Sequence, residues 1–211
     1  IAGSQISNDE AMRQCLTGVC EFVGWPVGHV YVDAADGSDE LAPTDIWHLD
    51  DPENFAEFRA VTTRTRFAPG VGLPGRVLEL GEPVWIPDVQ SDSNFPRNKI
   101  AADIGVRAAF GFPILHEDHV TAVLEFFSAE SLEPDERILE VMRVLGVQIG
   151  LILERQQVFT RRDAAIAQAE QEILIRLEEE ERNFLNILDT APDAILVVDE
   201  NGIIKSANEV F

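Results

Sequence analysis

Residues Val106–Ser128 read VRAAFGFPILHEDHVTAVLEFFS. Two apolar runs, Val106–Leu115 and Val120–Ser128, flank the polar stretch His116-Glu117-Asp118-His119. Runs of this length, rich in β-branched and aromatic residues and separated by a short polar turn, predict a β-hairpin. Alternation places Phe110 and Phe112 on one face of the first strand and Arg107 on the other. Both groups cannot serve one pocket unless a bulge intervenes, so the phenylalanines read first as core.

The chain before this hairpin supplies more strands and the helices to cover them. Asn8–Trp25 is an amphipathic pattern with Ser7 or Asn8 as N-cap and Met12, Leu16, Val19 and Val23 as its apolar set. Gly28–Asp33 alternates as a strand, Asp36-Gly37 signals a turn, and Leu41–Leu49 returns. Asp51-Pro52 is expected to cap a short helix reaching about Arg66, with Phe55, Phe58 and Val61 inward. Val84–Ile86 is a short strand, Gln90–Arg97 a polar loop, and Asn98–Ile104 a helix ended by Gly105. Strands joined by turns and covered by helices make an α+β domain with an antiparallel sheet.

Ala68–Gly75 (APGVGLPG) is the most punctuated passage in the chain. A tight loop is expected there, leading into a helix over Arg76–Leu80. A glycine-rich loop before a helix can cradle phosphate. This one lacks the Gly-Lys-Ser/Thr ending of a P-loop and any dinucleotide fingerprint, which favours a structural turn.

After Pro134 the pattern changes to a heptad. Its seam visits Ile138, Met142, Leu145, Ile149, Ile152, Phe159, Ile166, Ile173 and Leu177, and continues through Glu180, Phe184 and Ile187. Gln156, Asp163 and Glu170 interrupt it at core positions. A sustained heptad predicts helices packed along a seam, and polar seam residues fix register at a cost in stability. A helix over 134–190 would be roughly 80 Å long. The reading is a parallel homodimeric coiled coil whose polar middle is either loosely paired or a place where register can change.

Net charge is −22 over 211 residues, which argues against nucleic acid and anionic membranes as partners. Lysine occurs only at Lys99 and Lys205. No apolar run is long enough for a membrane span, and a cytoplasmic setting is expected. Cys15 and Cys20 fall on different faces of the first helix, so they read as small core residues rather than a disulfide. Beginning at Ile1, the sequence reads as part of a longer protein.

These residues together resemble a GAF domain, the small sensory module of signalling proteins. The matching text is Gly72-Leu-Pro-Gly75, Gly81-Glu-Pro-Val-Trp-Ile86, Asp88-Val89, Asn94-Phe-Pro-Arg97, Gly105–Phe110, Phe112-Pro-Ile114 and Val123–Phe127. The resemblance implies a sheet of about six antiparallel strands, dimerising helices at both ends, and a ligand pocket between one sheet face and the 90–105 segment. Trp85, Asp88, Phe95, Arg97, Arg107, Phe110, Phe112, Glu125 and Phe127 are the candidate lining. Further on, Phe184–Asp199, Glu200-Asn-Gly202 and Ala207-Asn208 resemble the opening of a PAS domain. The expected domains are therefore a GAF-like module over 1–154, a signalling helix over 134–190 that overlaps it, and the start of a PAS domain over 191–211.

The chemistry of known GAF subfamilies is not reproduced. No cysteine lies near Phe95-Pro96-Arg97 to hold a bilin, and the cyclic-nucleotide signature is not evident. His29, His48, His116 and His119 are the available haem or metal ligands; His116 and His119 share a turn with Glu117 and Asp118 and read as exposed turn residues before an adventitious metal site, and His48 reads as a half-buried, hydrogen-bonded residue. The reductases of free methionine sulfoxide need reactive loop cysteines, which Cys15 and Cys20 are not. No catalytic residues, metal or cofactor are assigned, and no enzyme is expected in this stretch. The architecture resembles the sensory half of a two-component histidine kinase. A regulatory region of a cyclic-di-GMP enzyme and a ligand-free dimerisation scaffold are the alternatives.

Overall fold

The computed structural model describes residues 7–34, 36–97, 105–117, 119–190, 192–193 and 195–207. The chain divides into two compact units, residues 1–156 and 157–211. The helix expected over Asn98–Ile104 lies outside the described residues.

In the first unit, helix α1 (Asn8–Val23) is followed by strands β1 (Val27–Asp33) and β2 (Leu41–Leu49). Helices α2 (Ala56–Thr62) and α3 (Gly72–Leu80) come next, then β3 (Val84–Ile86), β4 (Ala108–His116) and β5 (His119–Ser128). Helix α4 (Glu136–Thr190) follows, its first part lying in this unit. The strands form one antiparallel sheet in the order β2-β1-β5-β4-β3. Ser7 caps α1 by accepting the Glu10 N–H at 3.2 Å, and Gly24 ends it in the left-handed region.

This sheet has five strands, rather than six, among the described residues. Pairing that would add another is reduced to single contacts. The Val89 N–H donates to the Arg107 carbonyl, the Arg107 N–H to the Ser128 carbonyl, and Leu41 bridges Phe67. Aspartate and asparagine side chains satisfy the neighbouring backbone instead. Helix α3 also begins earlier than Arg76, because Pro74 stands in its first turn, where a missing N–H costs nothing.

Both faces of the sheet are covered. One carries α1 and the start of α4 over Val30, Phe110, Phe112, Leu124 and Phe126. The other carries α2, α3 and the loops over Val27, Tyr31, Val123 and Phe127. On the helical side Phe110 stacks on Phe126 at 4.8 Å and on Trp85 at 5.3 Å, and Trp25 meets both Trp85 and Phe110 edge-on.

Helix α4 rests directly on backbone. A Cβ placed on Gly146 would lie 2.1 Å from the Pro113 carbonyl oxygen, and one on Gly150 would lie 1.9 Å from that of Leu115. Met142 and Ile149, 1% and 7% exposed, enter the core beneath, with Ile138 and Leu145 packed against it. Ile138, Met142, Leu145 and Ile149, in the first third of the heptad, thus pack on the domain's own core. Further along, Ile152, Phe159, Ile166, Ile173 and Leu177 are exposed.

The second unit holds the rest of α4 and a hairpin of β6 (Leu196–Val198) and β7 (Ile204–Ala207). Asp199 organises its turn by accepting the N–H groups of Asn201 and Ile203. Among the described residues no helix is long and apolar enough to cross a membrane.

In an exposed helix, Gly150→Ala would stabilise by about 1 kcal/mol. Here the added methyl meets a carbonyl, and Gly150→Ala should instead cost about 1–3 kcal/mol in urea denaturation. A gain in stability would show that the helix does not rest on β4.

Candidate functional site

The loop after β3 is built by its own polar side chains. Asp88 accepts the Gln90 N–H and pairs with Arg107 at 2.7 Å. Asp92 accepts the Asn94 N–H and the Arg76 guanidinium at 2.8 and 2.6 Å. Asn94 then ties this loop to the glycine-rich one, donating to the Gly70 carbonyl at 2.8 Å and accepting the Gly72 N–H at 3.1 Å. The punctuated passage is thus an anchor for residues 88–97. These ties turn Phe95 and Arg97, 1% and 2% exposed, down onto the sheet.

Arg97 meets Glu125 of β5 there. Nη2 donates to Oε2 at 2.6 Å and Nη1 to Oε1 at 2.9 Å, a bidentate pair at the centre of the sheet face. Nη1 also donates to the Thr62 hydroxyl at 3.0 Å. The rings of Phe58 and Phe67 have their centroids 5.1 Å from the guanidinium carbon, and those of Phe95 and Phe127 are at 5.3 Å. Each lies within the range of a cation–π contact. The Arg97 Nε is buried with no partner among the described residues.

His29 of β1 completes the cluster. Its Nδ1 lies 3.3 Å from Glu125 Oε1 and its Nε2 3.0 Å from the Thr44 carbonyl oxygen. Both partners are acceptors, so a neutral ring can donate to only one of them. Trp47 lies on one side of the ring with centroids 4.0 Å apart, and Tyr31 meets it edge-on. The Tyr31 hydroxyl donates to the Thr62 carbonyl at 3.3 Å.

Burial lowers the His29 pKa against the pull of Glu125. Burial also disfavours the charge of Glu125, but Arg97 and His29 outweigh it and hold the carboxyl below its ordinary range. The result is an ion pair enclosed by aromatic rings, with an imidazole beside it whose charged form burial disfavours.

The sheet separates the nine residues proposed as one pocket. Phe95, Arg97, Glu125 and Phe127 do converge on the loop side. Trp85, Phe110 and Phe112 belong to the helical side, so one cavity cannot hold both groups. Asp88 and Arg107 form a partly exposed pair on the loop. The site also uses His29, Tyr31, Phe58, Thr62 and Phe67, which the sequence did not place there. A signal for His29 was present, since Val27, His29 and Tyr31 alternate onto one face.

The other sites considered carry less. His48 is partly buried against Thr17 and Asp50, and His116 faces His119 across the β4–β5 turn. Among the described residues no three His, Cys, Asp or Glu side chains converge to hold a metal. Both cysteines are free, and burial pushes the Cys15 thiol up to about 11 and that of Cys20 higher still. Neither is a ready nucleophile at neutral pH.

A five-stranded sheet with helices on one face and a loop-built site on the other defines a class of small α+β domains. Residues 5–154 match the GAF domain family, and the chain belongs to it. Its fold resembles the GAF domain of a phosphoenolpyruvate-protein phosphotransferase from Coxiella burnetii, at a TM-score of 0.60 and 14% identity, covering 75% of this chain and 89% of that one. A GAF domain/HD domain protein from Geobacter sulfurreducens gives 0.58 and 17%, over 74% and 99% of the two chains. The free methionine-R-sulfoxide reductase from Neisseria meningitidis gives 0.57 and 19%, over 73% and 83%. At these identities the likeness is one of fold. No curated protein matches the chain.

Removing one partner of a buried ion pair leaves the other unpaired, so Arg97→Ala or Glu125→Gln should each cost about 3–5 kcal/mol in urea denaturation. The combined Arg97→Met and Glu125→Leu variant should lose less than either single change, because no charge is stranded. Additive losses would show that the two residues are not coupled.

The pH dependence follows from the two shifts. An unfolded chain takes up a proton at His29 near its ordinary value of 6.5, and at Glu125 near 4.5, while the folded state resists both. Stability is therefore fully present above these values, begins to fall as pH drops below 6.5, and falls faster below 4.5. Melting curves should show this slope, flattened at its acid end in Glu125→Gln; an unchanged slope would remove Glu125 from the account.

Proposed function

We propose that the chain is the sensory and regulatory segment of a cytoplasmic signal-transduction protein, which passes the state of its GAF domain along a dimeric helix to a following module. The observation that carries this reading is the seating of α4. Gly146 and Gly150 bring the helix onto the β4 backbone, and the same helix runs on to Thr190. A change in the position of β4 must then move the helix.

A second copy of the chain is the partner best suited to the exposed part of the heptad. Phe159, Ile166, Ile173 and Leu177 are 52%, 47%, 59% and 57% exposed, an apolar stripe that a solitary helix would leave in water. Gln156, Asp163 and Glu170 interrupt it and supply the place where register or crossing angle changes. The expected extents remain 1–154 for the sensory module, 134–190 for the helix and 191–211 for the opening of a PAS domain. The β6–β7 hairpin and its Asp199 turn support the last of these. A histidine kinase is the output we favour, and a cyclic-di-GMP enzyme the alternative. The unpaired cysteines fit a reducing cytoplasm.

A ligand-free dimerisation scaffold is the second reading. It is favoured by Arg97, which fills the aromatic enclosure on the sheet face with the chain's own side chain.

Sedimentation at micromolar concentration should show a dimer, shifted toward monomer by Ile166→Asp with Ile173→Asp. Replacing Gln156 with Ile and Asp163 and Glu170 with Leu should tighten it. A monomeric wild-type chain, or a triple variant with unchanged dissociation, would count against the relay.

A further inference from the structure

The interactions around Arg97 are concentrated on its head rather than its stem. Glu125 accepts from both terminal nitrogens in parallel, Thr62 accepts a further bond from Nη1, and four phenylalanine rings surround the guanidinium carbon. The Nε, where the head joins the rest of the residue, has no partner among the described residues. The enclosure thus offers acceptors to both terminal nitrogens of a guanidinium and none to Nε, the nitrogen that carries the substituent. An ammonium is a point charge and cannot make the same parallel pair with a carboxylate while lying flat among aromatic faces.

We propose that Phe58, Phe67, Phe95, Phe127, Glu125 and Thr62 form a recognition site for monosubstituted guanidinium cations, filled in this state by the chain's own Arg97. The ligand class is a free alkylguanidinium, bound through its two unsubstituted nitrogens and competing with the tethered head. Tethering raises the local concentration of that head, so an external cation acts only when Arg97 is withdrawn or outcompeted. The proposal rests on the sensory reading only for its biological use. Binding at the site is measured without reference to dimer or helix, so failure of one leaves the other standing.

The test vacates the site and offers the missing group back. Arg97→Ala is melted in millimolar methylguanidinium chloride, methylammonium chloride or sodium chloride at equal ionic strength, far below the molar range in which guanidinium denatures. Methylguanidinium alone should raise the melting temperature, by roughly 3–6 °C per tenfold increase above its dissociation constant. The Arg97→Ala, Glu125→Gln double variant should not respond. Equal responses to the three salts, or a response that survives in the double variant, would overturn the proposal. If Arg97→Ala does not fold unaided, it is refolded from urea in the same salts. Recovery of native circular dichroism in methylguanidinium alone supports the site, and equal recovery or none in all three overturns it.

Discussion

Everything in the first unit is arranged about β5, a strand paired on both edges and covered on both faces. In such a strand alternate side chains belong to different interiors. Leu124 and Phe126 go to the helical layer, while Val123, Glu125 and Phe127 go to the loop layer. The apolar members gain from either destination. Glu125 cannot, because a buried carboxylate is tolerable only with a partner held at hydrogen-bonding distance. That requirement dictates much of the loop layer, where residues 88–97 are cross-linked through Asp88, Asp92 and Asn94 and deliver Arg97 to the face of the sheet.

The two faces therefore differ in kind. One is apolar and rigid, with stacked rings and a helix in backbone contact. The other is charged, aromatic and assembled from several chain segments. They are nevertheless close along the sheet. Glu125 pairs with Gly111, and the carbonyl of Pro113, two residues further along β4, lies against Gly146. The charged cluster and the seat of α4 therefore lie within two residues of each other along β4.

Most of the architecture was legible because it rests on local periodicity. The strand alternation, the cap at Ser7, the β4–β5 turn and the long helix after Pro134 are patterns of neighbours, and they appear where the sequence puts them. The site was only half legible. Phe95, Arg97, Glu125 and Phe127 belong together, but their grouping with Trp85, Phe110 and Phe112 ignored the parity already noted for Phe110 and Arg107. Parity applied equally to β5 would have separated Glu125 from Phe126. His29 and Thr62 were beyond reach because they enter through pairings far apart in the chain.

The charged cluster also bears on how such a domain can change over generations. Arg97, Glu125, His29 and Thr62 come from a loop, two strands and a helix, yet none has its full set of partners without the others. A single substitution strands a charge or a donor in the interior, and the losses do not add. The four positions are therefore expected to change together. A lineage that abandons the ion pair must replace it with apolar side chains at several positions together, and intermediates carrying only part of the exchange are the least stable proteins along that path.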